Sequence, residues 1–182
     1  MFFGMTPFTF VHVVLSLIGI GSGFVVAYGV LAAKRIDGWT GLFLASNIAT
    51  SVTGFFFPFE RFLSSHATGI IALVVLMVAI VARYRLHLKG RWRAAYVVSS
   101  VIALYLNVFV LIAQLFLKVP ALRALSPNQS EPPFLLTQGV VLVLFVVLGI
   151  ASVIRFGDEV ACTQTTVVSS GAPGRELLQR NP

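Results

Sequence analysis

Hydrophobic residues fall in five long runs, and short clusters between them carry nearly all of the charge. No charged side chain precedes Lys34, and none occurs in residues 38–59, 62–82, 94–117 or 132–154. An α-helix rises about 1.5 Å per residue, so a hydrocarbon layer of about 30 Å takes roughly 20 apolar residues to cross. Each uncharged run meets that length. The pattern predicts an all-α integral membrane bundle of about five transmembrane helices, at about 7–33, 39–59, 62–86, 94–118 and 134–156. These make one transmembrane domain over residues 1–156. From Gly157 the composition turns to Thr, Ser, Gly and charge, which predicts a disordered tail over 157–182.

The second run is the most polar, with Ser46, Asn47, Thr50, Ser51 and Thr53. A re-entrant segment is the alternative reading there, because non-helical backbone at membrane depth survives only under a cover of protein or water. Charge argues for a full crossing. With five spans Lys34, Arg35, Arg83, Arg85, Lys89, Arg91, Arg93 and Arg155 share one face, leaving Arg61, Lys118 and Arg123 on the other. Excess Lys and Arg in short loops marks the cytoplasmic side. The N-terminus is therefore expected outside and the C-terminus in the cytoplasm.

Composition supports the same class. The 182 residues are 58% hydrophobic and only 10% charged, against about half and about a quarter in soluble domains. The net charge of +7 reads as this topology signal and not as a nucleic-acid surface. The first run lacks a basic segment before it and is too long for a cleavable leader. One cysteine, Cys162, permits no internal disulfide.

Small residues suggest how the helices pack, since membrane helices associate by close approach and hydrogen bonding. Gly19, Gly23 and Ala27 share one face of the first span, and Ala45 and Ala49 share one of the second. Packing between these stripes within the chain is expected, with a homodimer through the glycine face as the alternative. Asn47 and Asn107 lie near the middle of their spans and should face protein or water. A hydrogen bond between them is the preferred reading, a polar path the other.

Counting inward from the charged ends places His12, His66, Gln114 and Gln138 at similar depth near the outer face, with Thr53 and Glu60 close by. Two imidazoles on facing helices suit axial ligation of haem b, with Ser16 and Gly69 leaving room and Arg61 or Arg123 meeting propionates. The bland reading is that His12 and His66 tie helix ends together through Gln114, Gln138 or Glu60. A small-ligand or quinone-like pocket is a third. Two histidines and one carboxylate fall short of a closed metal set, so no metal site is assigned. The basic stretch Arg83, Arg85, Lys89, Arg91 and Arg93, which includes His87, reads as a solvated loop that could meet anionic lipid headgroups.

No Asp, Glu, Lys or Arg sits in the middle of a span, which argues against ion-driven transport. There is no phosphate loop, no HExxH and no GxSxG, and Glu60 and Glu131 are the main outer-loop carboxylates. The expectation is a non-catalytic membrane protein, an accessory or assembly subunit of a larger complex, with a membrane-protein partner or a second copy. A haem-b electron carrier is the rival. Asp37 to Leu44, Thr50 to Phe59, Tyr105 to Phe109 and Gln129 to Phe134 resemble small bacterial inner-membrane proteins with no assigned activity. The resemblance implies that membrane and carries over no site residues.

Overall fold

The computed structural model describes residues 7–32, 34, 36–56 and 64–170, with the side chains of 64–67 and 156–170 outside the description. Among the described residues the chain is helical, in the order α1 Pro7–Leu31, α2 Asp37–Gly54, α3 Ser64–Ile80, α4 Trp92–Lys118, α5 Pro120–Leu125 and α6 Pro132–Ser170. A π turn, Val81–Arg85, ends α3. The helices begin and stop where local chemistry dictates: Pro7, Pro120 and Pro132 each stand at a first helical position, where the missing N–H costs nothing.

Among the described residues four stretches are long and apolar enough to cross a membrane: Pro7–Leu31, Thr68–Arg85, Trp92–Lys118 and Pro132–Arg155. α2 falls short of them in hydropathy because of its hydroxyls and Asn47. It is nonetheless a continuous helix that runs antiparallel to α1 along most of its length. His12 meets Thr53, Gly19 meets Ser46 and Asn47, Gly23 meets Phe43, and Gly29 meets Ile36. The polar side of α2 points inward, with Thr40, Ser46 and Asn47 buried, while Trp39, Leu42 and Val52 are exposed. Its hydroxyls are satisfied locally, Ser46 Oγ donating to Leu42 O at 2.7 Å and Thr53 Oγ1 to Ala49 O at 2.7 Å.

α4 is the central helix, packed against α1, α3 and α6, while α2 bridges α1 and α3. Tyr96, Val97, Ala103 and Leu104 of α4 are almost fully buried against Phe43 of α2 and Leu76 and Ala79 of α3. α6 lies antiparallel to α4, with Gln138 at Phe109, Phe145 at Tyr105 and Gly149 at Val101. Its opposite side, including Leu136, Val143, Val147 and Ile150, is exposed. An apolar outward surface is what a lipid-facing helix presents.

Two sequence expectations need correction. Gly23 does pack closely against α2, where a Cβ would lie 2.8 Å from the Phe43 ring, but the expected partner Ala45 is exposed. α2 turns Phe43, Ser46 and Asn47 to α1, because an exposed carboxamide would cost more than an exposed methyl. The helix expected to end near 156 continues through 157–170. No proline interrupts that segment, and extending a formed helix requires no new nucleus. The segment between α4 and α6 holds the short helix α5. Residues 57–63, with the expected turn at Glu60 and Arg61, and residues 171–182 lie outside the described residues.

Candidate functional site

At the His12 end of the bundle, α1, α2, α3 and α4 surround a cavity of about 90 Å³. Its polar lining is His12, Asn47, Thr50, Ser51, Thr68 and Asn107, and the rest of the wall is glycine and carbon, including Gly54, Phe55, Gly69 and Leu106. α1 and α3 lie diagonally across this four-helix unit, each packed on α2 and α4. The small residues of α2 and α3 keep the space open, since Gly54 and Gly69 project no side chain into it.

The His12 tautomer follows from its partner. Thr53 Oγ1 gives its proton to Ala49 O, so it accepts from His12 Nδ1–H at 2.8 Å. A neutral ring held this way carries an acceptor lone pair on Nε2. Asn107 Nδ2 donates to Asn47 Oδ1 at 3.0 Å, and Asn47 Nδ2 donates to Phe43 O at 2.8 Å. Thr50 Oγ1 is buried without a hydrogen-bond partner. The cavity therefore combines an apolar wall with hydrogen-bonding groups, among them the unpartnered Thr50 Oγ1.

The other residues expected in this layer separate. Gln138 is buried on α6 and donates through Nε2 to Phe109 O at 3.2 Å, on the far side of α4 from α3. Its Oε1 has no partner. Gln114 is exposed, because it lies two positions from buried Phe116 and so faces away from the core side of α4. Rotation about the helix axes therefore sets Gln114 and Gln138 apart from the cavity beside His12. His66 lies on α3 with its ring outside the described residues, and Glu60 lies outside them altogether.

The space beside His12 is small for a macrocycle. Pockets for drug-sized ligands run to about 300–1,000 Å³, several times the space beside His12. Among the described residues no three His, Cys, Asp or Glu side chains converge to hold a metal ion.

The basic cluster also divides. Arg83 is buried, pairs with Asp37 at the start of α2, and sets its guanidinium 5.2 Å from the Tyr96 ring centroid. Tyr96 Oη in turn donates to Thr40 Oγ1 at 3.4 Å. Arg83 is thus a tie between α2, α3 and α4, which corrects its expected place in a solvated loop. Its position was readable: Leu76, Ala79 and Arg83 share one helical face, and the first two are core residues. Arg85, Lys89 and Arg91 are exposed and Arg93 is half-buried. Past the π turn the chain reverses through His87, Leu88 and Gly90, with φ of 50°, 56° and 52°. Left-handed backbone at His87 and Leu88 is costly, and burial of the Leu88 side chain in the main core offsets it. His87 itself is exposed, with Nδ1–H donating to Arg85 O at 3.1 Å.

At the other end, Glu131 organises the turn between α5 and α6. Its carboxylate accepts from Ser126 Oγ at 2.6 Å, from the Asn128 backbone N–H at 3.2 Å and from the Ser130 backbone N–H at 3.1 Å. The Ser126 hydroxyl, first among these donors, holds the carboxyl down to about 2.

No family model, curated protein or solved structure matches the chain. The site must be read from its own chemistry.

Proposed function

We propose that this is a non-catalytic multi-pass membrane protein that binds a small uncharged ligand in the cavity beside His12. The observation that carries the reading is the unpartnered Thr50 Oγ1, buried in a wall that also presents His12, Asn47 and Asn107. A buried hydroxyl without a partner costs roughly 1–3 kcal/mol, and a ligand that pairs with it recovers that cost. The complementary molecule has one apolar ring and one or two hydrogen-bonding oxygens, as in a quinone headgroup.

The membrane reading behind it has five crossings, N-terminus outside, in a bacterial inner membrane. The apolar outward face of α2 and its antiparallel run along α1 support the fifth crossing, and the basic residues at one end support the direction. An accessory role in a larger complex would use the outward face of α6. Haem between His12 and His66 is the reading that the size of the cavity disfavours.

The test uses duroquinone, a ring with two carbonyls and no position open to thiols. Purified full-length protein should show a saturable rise in thermal midpoint with added duroquinone. Thr50→Val, which keeps shape and removes the hydroxyl, should reduce that rise strongly while leaving the ligand-free midpoint unchanged or higher. No saturable rise in the wild type, or an undiminished one in Thr50→Val, defeats the proposal.

A further inference from the structure

A second space lies on the opposite side of α4, and its chemistry differs. Between α4 and α6 runs a groove of about 260 Å³ lined by Val98, Ile102 and Tyr105 on one helix and Leu142, Val146 and Ile150 on the other. Its walls are almost wholly carbon. Gly149 forms part of its floor, where a Cβ would meet only Val101 at an ordinary 3.6 Å. Tyr105 and Phe145, with ring centroids 5.7 Å apart, lie along its lining towards the middle of the bundle. Towards the basic end the helices place Val98 and Ile150 near the starts of the polar segments at Trp92 and Arg155.

What fills such a groove follows from where it lies and from the charge at its mouth. It opens on the apolar outer surface of the bundle, so the medium against it in a bilayer is hydrocarbon. Val98, Ile102 and Tyr105 fall on one face of α4, and Arg91, which caps its start, stands seven residues before Val98 in the same phase. Arg91 has helical backbone, with φ −62° and ψ −21°, so this phase extends to it. It is exposed and stands about 10 Å along the axis from Val98. Trp92, also exposed, marks the same level as an interfacial anchor. A chain of carbon below a cationic side chain at the headgroup level is the complement of an anionic phospholipid.

We infer that the α4–α6 groove seats one acyl chain of an anionic phospholipid whose phosphate is held by Arg91. This rests on the chain crossing the bilayer, and it is independent of whether the cavity beside His12 holds a ligand. The inference singles out Arg91 among the basic residues. Arg83 is committed to Asp37 and Tyr96, and Arg85 and Lys89 lie before or within the left-handed reversal at His87, Leu88 and Gly90, so the helical phase of α4 does not extend to them.

The experiment is native mass spectrometry of the full chain purified in mild detergent and titrated with dioleoylphosphatidylglycerol or dioleoylphosphatidylcholine. The wild type should retain one phosphatidylglycerol at lower added lipid than phosphatidylcholine. Arg91→Gln should weaken phosphatidylglycerol retention about fivefold, the equivalent of the ~1 kcal/mol that one basic side chain contributes near an anionic surface. Gly149→Phe, which fills the groove, should weaken retention of both lipids. Arg85→Gln removes the same charge nearby and should change nothing. Equal retention of the two lipids by the wild type would show annular lipid only and overturn the inference. So would unchanged phosphatidylglycerol retention in Arg91→Gln or Gly149→Phe, or an equal loss in Arg85→Gln. A duroquinone response that persists in Gly149→Phe separates failure here from failure at the other site.

Discussion

Asn107 Nδ2 donates to Asn47 Oδ1 at 3.0 Å, and both carboxamides lie against the backbone of Gly19. A Cβ on Gly19 would come within 2.9 Å of Asn107 Nδ2 and 3.1 Å of Asn47 Nδ2. The glycine and the two amides are therefore one unit joining α1, α2 and α4. Gly19→Val should cost about 1–3 kcal/mol through overpacking. Asn107→Ala should cost little for its hydrogen bond, since such bonds in membrane helices average about 0.6 kcal/mol. The double variant should lose less than the sum, because the alanine removes what valine strikes. Unfolding titrations in mixed micelles measure this; strict additivity would mean that the three residues act separately.

The Arg83–Asp37 pair is asymmetric, with side-chain exposure of 5% for the arginine and 74% for the aspartate. Solvent weakens the ion pair on the aspartate side, so Asp37→Asn should cost only about 0.2–1 kcal/mol. Arg83→Ala should cost about 2 kcal/mol or more, since it also empties buried space and loses the contact with Tyr96. Equal losses in the same unfolding assay would assign the whole effect to the ion pair.

Glu131 gives a pH dependence whose sign follows from its hydrogen bonds. Its carboxyl is lowered from 4.5 to about 2, so the native turn binds fewer protons than the unfolded chain between those values. The stabilisation is complete above about 4.5 and disappears as pH falls through about 2. Carboxyl NMR of ¹³C-labelled glutamate should show one group titrating near the lower value, and Glu131→Gln should remove that signal. A normal titration for Glu131 would mean that Ser126 does not hold it.

Five crossings place the chain ends on opposite sides of the membrane, whereas four place them together. A membrane-impermeant thiol label added outside intact cells should leave Cys162 unmodified, and an N-terminal epitope should be accessible there. Labelling of Cys162 from outside would return α2 to a non-crossing role.

The size of the space beside His12 predicts no haem. Protein expressed with ample haem supply should show no Soret band, and His12→Ala should leave its visible spectrum unchanged. A band lost in both His12→Ala and His66→Ala would restore the electron-carrier reading.

The chain alone determined the helical class, the approximate ends of the long apolar helices and the shared level of Asn47 and Asn107, because each depends only on counting along one axis. Uncharged run length sets the long apolar helices, and the mid-helix positions of Asn47 and Asn107 place the two amides at one level. Tertiary structure decided rotation. It turned Asn47, Thr50 and His12 towards one cavity, Gln138 towards the far side of α4, and Gln114 outward. It withdrew Arg83 from a basic cluster into the core. The physical reason lies in the membrane itself. In a soluble protein an apolar stripe announces the inner face of a helix, but here both faces are apolar, and periodicity carries little information about which one packs. Only the contacts between helices, made by a few glycines and polar side chains, settle that choice.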